Sequence, residues 1–338
     1  MKILVDAFGG DNAPSEIIKG AVQAVNERDG FEVVLIGQEE VINARLAENE
    51  YDKDRILILD ARDVITCDEE PTVAIRTKPN SSLCVAFKAL KEDPEATALV
   101  SAGSTGAVLV GATLKVGRLK GVNRPALCPI LPTAKGGQVL LLDSGANADC
   151  KPINLLDFAL IGTEYAKCAL KIEKPRVALL SNGTEDKKGN ALTHEVFPML
   201  KEADGINFVG NIEGRDILSG DVDVVVTDGF SGNVALKSLE GAINLLLKML
   251  KEEIYSSFVS KLGGMLLKGS FKNLKEKIDY NKRGGAVFLG VNKLIIKSHG
   301  SSKAETIKAS VLQAVDIANS GVMQELEQAF AQRIGGTN

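Results

Sequence analysis

An α/β fold, with three layers in the order α/β/α around a mostly parallel sheet, follows from three features of the sequence. Its apolar runs are nearly unbroken, as in ILV at 3–5, VVLI at 33–36, VLLL at 139–142 and VVV at 224–226, which is the signature of strands covered on both faces. Those runs alternate with stretches of helical periodicity, the pattern of βαβ units. Run after run ends in a glycine-rich polar turn, and in such sheets ligands bind beyond the carboxyl ends of the strands. The 338 residues suit one large or two modest domains, and we take 1–338 as a single α/β domain.

The elements follow in order. KILVDA (2–7) is a strand, FGGDNAP (8–14) its turn and SEIIKGAVQAVNE (15–27) a helix, with Pro14 and Ser15 where helix starts favour them. FEVVLIG (31–37) leads to the helix EEVINARLAE (39–48), RILILDA (55–61) is the next strand, and ALVSAGSTGAVLVGATLKVG (98–117) runs from strand through turn to helix. QVLLLDSGANADCKP (138–152) opens the helical NLLDFALIGTEYAKCAL (154–170), RVALLSNGTEDKKGN (176–190) opens ALTHEVFPMLKEA (191–203), and INFVGNIEGRD (206–216) ends in a short turn. VVVTDGFSGN (224–233) precedes the helix VALKSLEGAINLLLKML (234–250), and LIIKSHGSSKAETIKASVLQAVDIA (294–318) closes the series. Strand order is not fixed by these patterns, and some antiparallel pairs are compatible with them.

Composition narrows the function. A formal charge of −4 disfavours nucleic acid as a partner. The five cysteines are widely spaced with no CxxC pair, which disfavours disulfides and cysteine-based zinc and fits a reducing cytoplasm. Asp6 breaks the opening apolar run too early for a signal peptide, and no run reaches the length of a membrane span.

Several catalytic signatures are missing. Neither SAGSTGA nor DGFSGN is a G-x-S-x-G elbow. No Walker pattern exists, and AFGGDNAP is not G-x-G-x-x-G. Of the two histidines, His194 sits in a helix and reads as structural, while His299, in KSHGSSK, either lines the site or is an ordinary turn residue. What remains is a set of anion-friendly turns: Gly9-Gly10-Asp11, Gly103-Ser104-Thr105-Gly106 and Ser231-Gly232-Asn233, with the cations Lys187 and Lys188 near another strand end. For any one of them, good turn residues are explanation enough; half a dozen on one edge point to a shared site. Inorganic phosphate is itself a nucleophile at neutral pH, so an enzyme that positions it against a carbonyl and stabilises the oxyanion needs no serine or cysteine nucleophile.

The motifs then become specific. DAFGGDNAP (6–14), KPNSS (78–82), SAGSTGA (101–107), GRLKGVNRPAL (117–127), DSGANADCKP (143–152), NGTEDKKGN (182–190), GNIEGRDI (210–217), TDGFSGNVALK (227–237) and KSHGSS (297–302) occur in order over nearly the whole chain. Together they resemble the bacterial acyl carrier protein:phosphate acyltransferases, which move a fatty acyl group from the carrier-protein thioester to inorganic phosphate for phosphatidic acid synthesis. The resemblance implies a homodimer, no metal or organic cofactor, and a fold similar to isocitrate and isopropylmalate dehydrogenases and to phosphotransacetylases. It assigns critical roles to the second lysine of the DKKG turn and the asparagine of the DGF-x-GN turn, which are Lys188 and Asn233 here. Asn233 would offer an amide to the thioester carbonyl or the phosphate at a helix start, where asparagine is also a favoured N-cap. Gly9, Gly10, Asp11, Ser104, Thr105, Gly106, Asn147, Glu185, Ser231, Gly232 and His299 are the candidate substrate or phosphate ligands. Among these, Asp11 and Glu185 either orient the lysine or shape their turns, and Asn147, with Asp143, either holds neighbouring loops or touches substrate. The chain departs from the family pattern at Ser104, commonly Asn, and Phe8, commonly Met. A phosphotransacetylase acting on a short acyl-coenzyme A is the alternative within the same fold group.

One segment contrasts with the acidic whole. Residues 248–283 hold nine basic and four acidic residues. Within it Phe258, Leu262, Met265 and Leu266 form an apolar helical stripe beside Lys261 and Lys268. Such a basic amphipathic protrusion suits an anionic membrane surface, a dimer seam or an acidic partner such as an acyl carrier protein. An ordinary packed helix pair fits the pattern equally, and Gly263-Gly264 interrupts it. Peripheral attachment to the inner face of the cell membrane, beside a downstream membrane acyltransferase, is what the resemblance implies.

Overall fold

The computed structural model describes residues 1–278 and 284–335. The chain begins β1 (Lys2–Asp6), α1 (Ser15–Glu27), β2 (Glu32–Gly37), α2 (Glu39–Leu46), β3 (Ile56–Asp60), α3 (Pro71–Thr77), α4 (Ser82–Glu92), β4 (Ala96–Ser101), α5 (Thr105–Gly111) and β5 (Ala126–Cys128). It continues through β6 (Ile130–Pro132), β7 (Gln138–Leu142), α6 (Pro152–Leu170), β8 (Arg176–Ser181), α7 (Ala191–Glu202), β9 (Asn207–Glu213) and β10 (Val224–Val226). Three helices follow, α8 (Gly229–Tyr255), α9 (Phe258–Leu266) and α10 (Lys268–Ile278), and β11 (Ala286–Leu289), β12 (Leu294–Lys297), α11 (Ala304–Ser320) and α12 (Val322–Gly335) complete the fold. The α/β class and the mostly parallel pairing match the sequence reading.

Two sheets form where one was expected. The larger has the order β3-β2-β1-β4-β12-β11-β5 and the smaller β6-β7-β10-β8-β9. Among the described strands, only β11 with its two neighbours and the β6–β7 pair are antiparallel. The switch falls at Pro129, the single residue between β5 and β6. A proline donates no ladder hydrogen bond, so it suits the point where the chain leaves one sheet for the other. β5, β6 and β11 are short antiparallel strands that hydrophobic periodicity does not single out.

Alternate residues of the strands are buried on opposite faces. Ile3 and Val5 of β1 join Leu140 and Leu142 of β7, Val224 and Val226 of β10, and Phe158 and Ile161 of α6 in one apolar core that spans both sheets. Leu4 and Leu99 face the other way, onto Phe87 and Leu90 of α4. Leu141 and Val225 pack with Leu131 and Ile217 on the far side of the smaller sheet, against Leu236 and Leu239 of α8. Burial on both faces is the cause of the unbroken apolar runs.

Beyond Leu239, α8 leaves the body. With 27 residues it is about 40 Å long; α9 packs on its end and α10 packs on α9. Leu245, Leu246, Met249, Phe258, Val259, Met265 and Leu266 are exposed there. Gly263 and Gly264 do not break α9. A Cβ on Gly264 would stand 2.4 Å from Ile254 Cγ2, so its lack of a side chain lets α9 approach α8. The last part of the basic segment, 279–283, lies outside the described residues. Among the described helices, none is long and apolar enough to cross a membrane.

Candidate active site

β1, β4 and β12 are parallel neighbours, so the turns after them leave one edge of the larger sheet. β7, β10 and β8 are likewise parallel neighbours, and their turns leave one edge of the smaller sheet. Between the two edges lies a cleft of about 370 Å³. Thr105, Lys297, Ser298, His299 and Gly300 line it from the larger sheet; Ser144, Gly145, Asn233 and Lys237 line it from the smaller. Leu127, Pro129, Ile130, Leu131 and Leu236 supply an apolar wall.

On the smaller sheet, the helix that carries Asn233 starts earlier than the sequence suggests. α8 begins at Gly229, and Asp228 is its N-cap, its Oδ1 accepting from the Ser231 N–H at 2.8 Å. Asn233 is therefore not the cap. It sits on the first turns of α8, exposed, beside Gly145, on which a built Cβ would come within 3.6 Å of the Asn233 Cγ. Gly232 is buried against Asp143, and a Cβ there would lie 1.9 Å from the Asp143 carbonyl oxygen.

Asp143 organises this corner. Its Oδ1 accepts from the N–H groups of Leu127 (2.9 Å), Gly145 (3.2 Å) and Ala146 (3.0 Å), and its Oδ2 from Asn147 N–H (2.6 Å) and Nδ2 (2.9 Å). Burial pushes its pKa up, and these donors oppose the shift; five N–H groups aimed at two oxygens are satisfied only by a carboxylate. Asn147 also donates to Pro125 O at 2.7 Å. Its amide nitrogen thus holds the 143–147 turn against Pro125 and Asp143.

On the larger sheet, parallel pairing sets three strand ends side by side. Lys297 is the register partner of Ser101, whose hydroxyl donates to Asp6 Oδ2 at 2.8 Å. Asp6 is 2% exposed and Lys297 8%. Burial raises the Asp6 pKa against hydrogen bonds from Ser82 and Ser101, and burial lowers that of Lys297 to about 8. Among the described residues, Asp6 Oδ1 has no hydrogen-bond partner. Gly9 and Gly10 pack back to back with this group: a Cβ on Gly9 would meet Asp6 Oδ2 at 2.5 Å and one on Gly10 would meet Gly300 O at 2.9 Å. Asp11 is exposed and ties its turn to the neighbouring one through its N–H, which donates to Gly300 O at 2.8 Å.

Ser104 caps α5, its Oγ accepting from Ala107 N–H at 3.5 Å, and Gly106 faces Pro71. His299 Nδ1 accepts from Ser301 N–H at 3.2 Å, which leaves the ring proton on Nε2 in the neutral form. Its pKa is lowered by burial first and then by Lys237.

Lys188 and Glu185 occupy the exposed turn after β8. Lys188 N–H donates to Glu185 O at 3.0 Å, and both side chains lie over Gly183, where a Cβ would be 2.7 Å from Lys188 Cγ and 2.8 Å from Glu185 Oε2. This turn shares a sheet edge with the Asn233 turn but does not line the cleft. The structure thus brings Thr105, Asn233 and His299 into one cleft, with Gly9, Gly10, Gly106, Gly232 and Asn147 in its scaffold and Ser104 and Ser231 at helix starts. His194 is exposed on α7, away from the cleft. Sequence reasoning did not single out Asp6, Lys237 or Lys297. A charged residue closing a buried apolar run, as in LIIK and ILVD, is the signal that would have found two of them.

The model of the fatty acid synthesis protein family matches residues 1–325. A phosphate acyltransferase from Clostridium novyi is 46% identical over 334 residues, covering 99% of this chain and 100% of that protein. One from Clostridium tetani is 45% identical over 97% of each chain. Among solved structures, a phosphotransacetylase from Streptococcus pyogenes superposes with a TM-score of 0.62 at 17% identity over 95% of this chain and 94% of that one. A branched-chain phosphotransacylase from Enterococcus faecalis gives 0.57 at 15% over 94% and 99%. At such identities the likeness is one of fold.

Proposed function

Because this chain belongs to the phosphate acyltransferase family of fatty acid synthesis proteins, we propose that it transfers a long fatty acyl group from the thioester of acyl carrier protein to inorganic phosphate. A phosphate oxygen attacks the thioester carbonyl carbon and forms a C–O bond. The tetrahedral oxyanion collapses with cleavage of the C–S bond, and the thiolate leaves with the proton that phosphate carried, giving acyl phosphate and free carrier thiol. The observation that carries this reading is the two-sided cleft. Amide, hydroxyl and amine donors line it from both sheets, Thr105 and Ser298 from the larger and Asn233 and Lys237 from the smaller, together with the apolar side chains of Leu127, Ile130, Leu131 and Leu236. Fixed donors at the reacting centre stabilise the oxyanion, and the apolar wall suits an acyl chain. Asn233 supplies an amide to carbonyl or phosphate, and Lys188 acts from the adjoining turn.

The same reading extends to partners. The exposed apolar stripe and lysines of α8–α10 suit an anionic membrane surface and a second copy of the chain, and the basic flank suits the acidic carrier protein. On this reading the enzyme works in the cytoplasm at the inner face of the membrane, where a membrane acyltransferase consumes the product.

The test is purified protein with palmitoyl-acyl carrier protein, with and without phosphate, followed by mass spectrometry for acyl phosphate. Phosphate-dependent product is expected, reduced at least about a hundredfold in Asn233→Ala and strongly in Lys188→Ala. Product from acetyl-coenzyme A alone would assign the chain to the phosphotransacetylase chemistry of its structural neighbours instead.

A further inference from the structure

We propose that Lys297 forms the floor of the anion site in this cleft and directly holds an oxygen of the bound phosphate. The proposal deepens the function given above by naming the ligand of one substrate, and three observations carry it.

Lys297 ends β12 between buried neighbours, with Ile296 and Ser298 both fully covered, yet it lines the cleft. Among the described residues its Nζ donates to main-chain carbonyls alone, those of Ala102 (3.4 Å) and Ser298. An ammonium has three N–H groups, so the geometry leaves one for a ligand. Finally, no carboxylate among the described residues lies within ion-pairing distance. Asp6 is in electrostatic reach, but its Oδ2 takes the Ser101 hydroxyl at 2.8 Å and the two charges do not meet.

A buried cation without a counter-ion is costly to a fold, and such groups normally pair or bind a ligand. Here Asp6 and Asp11 act on the ammonium only at a distance, and a phosphate entering from the open side supplies the contacting negative charge. A surface lysine would be a poor candidate for this role, because water already satisfies it. The chain position also matters. β12 is parallel to β4, so Lys297 stands on the edge from which the polar turns of the larger sheet emerge, facing Asn233 across the cleft.

The experiment is a thermal melt of the full chain with inorganic phosphate titrated and no thioester present, for the natural protein and for Lys297→Met. The natural protein should gain stability with phosphate along a saturating curve. Lys297→Met, which removes the buried charge and keeps the length of the side chain, should melt no lower without phosphate and need at least about tenfold more phosphate for the same shift. With acyl-loaded carrier protein added, the same variant should raise the KM for phosphate about tenfold or more and leave the KM for thioester within about twofold. A phosphate response in Lys297→Met equal to that of the natural protein would overturn the proposal, as would no response in the natural protein. Should Lys297→Met fail to fold, Lys297→Gln, with folding checked by circular dichroism, carries the same comparison. The thioester-free titration reads phosphate binding whichever acyl donor the enzyme uses, so failure of the acyl-transfer reading and failure of this site are told apart.

Discussion

At the scale of single residues, the cleft depends on buried charge. Lys297 has its pKa lowered by burial to about 8, with Cys67, Asp6 and Asp11 favouring the charged form and Lys237 opposing it. A lysine with a depressed folded pKa binds fewer protons folded than unfolded between that value and its ordinary 10.5. Fold stability should therefore rise across that window while phosphate affinity falls, because the cation is being lost. Opposed slopes in melts with and without phosphate are expected for the natural protein and neither component for Lys297→Met. Asp143 carries a different load. Asn in its place would aim an amide at N–H groups that now donate to a carboxylate oxygen. Breaking such a buried network costs about 3–5 kcal/mol, measurable as a lower urea midpoint, and a midpoint within experimental scatter of the natural protein would contradict this account of the corner.

At the scale of elements, the start of α8 couples the scaffold to the chemistry. Gly232 sits where any Cβ would fall 1.9 Å from the Asp143 carbonyl oxygen. Gly232→Ala must push the first turn of α8 outward and take Asn233 with it. A displacement of about 1 Å at a positioning residue can cost on the order of a hundredfold in rate. The variant is thus expected to keep its far-ultraviolet circular dichroism and lose acyl phosphate formation. Retained activity would mean that Asn233 does not work from this turn. The same close-approach logic applies at Gly264, where it serves assembly of the protruding helices and leaves the cleft untouched.

At the scale of the whole molecule, the charge is unevenly placed: a basic arm extends from an acidic body. Leu262 is 49% exposed on α9 between Phe258 at 82% and Leu266 at 83%, so the stripe read from the sequence is an outward-facing surface. Placing a glutamate at Leu262 sets a like charge against anionic lipid and removes apolar contact. Leu262→Glu should pellet less with anionic vesicles and retain activity on soluble substrates; unchanged sedimentation would remove membrane attachment through α9. The two sheets share one core, and that shared core holds the two loop sets at a fixed distance across the cleft.

How much of this was readable in advance follows from the range of the interactions involved. Fold class, the helix at 15–27 and the polar strand ends are local: unbroken apolar runs report burial on both faces, and helical periodicity reports one buried face. The candidates Thr105, Asn233 and His299 were legible because their turns are distinctive strings. The split into two sheets was not, since it rests on three-residue antiparallel strands around Pro129. Nor was the Asp6–Ser101–Lys297 neighbourhood, whose members lie far apart in sequence and become neighbours only through the β1–β4–β12 register. In the sequence Lys297 is one lysine among many; parallel pairing and burial make it a desolvated charge with no carboxylate in ion-pairing distance among the described residues, because desolvation is a property of the packed neighbourhood and not of the residue.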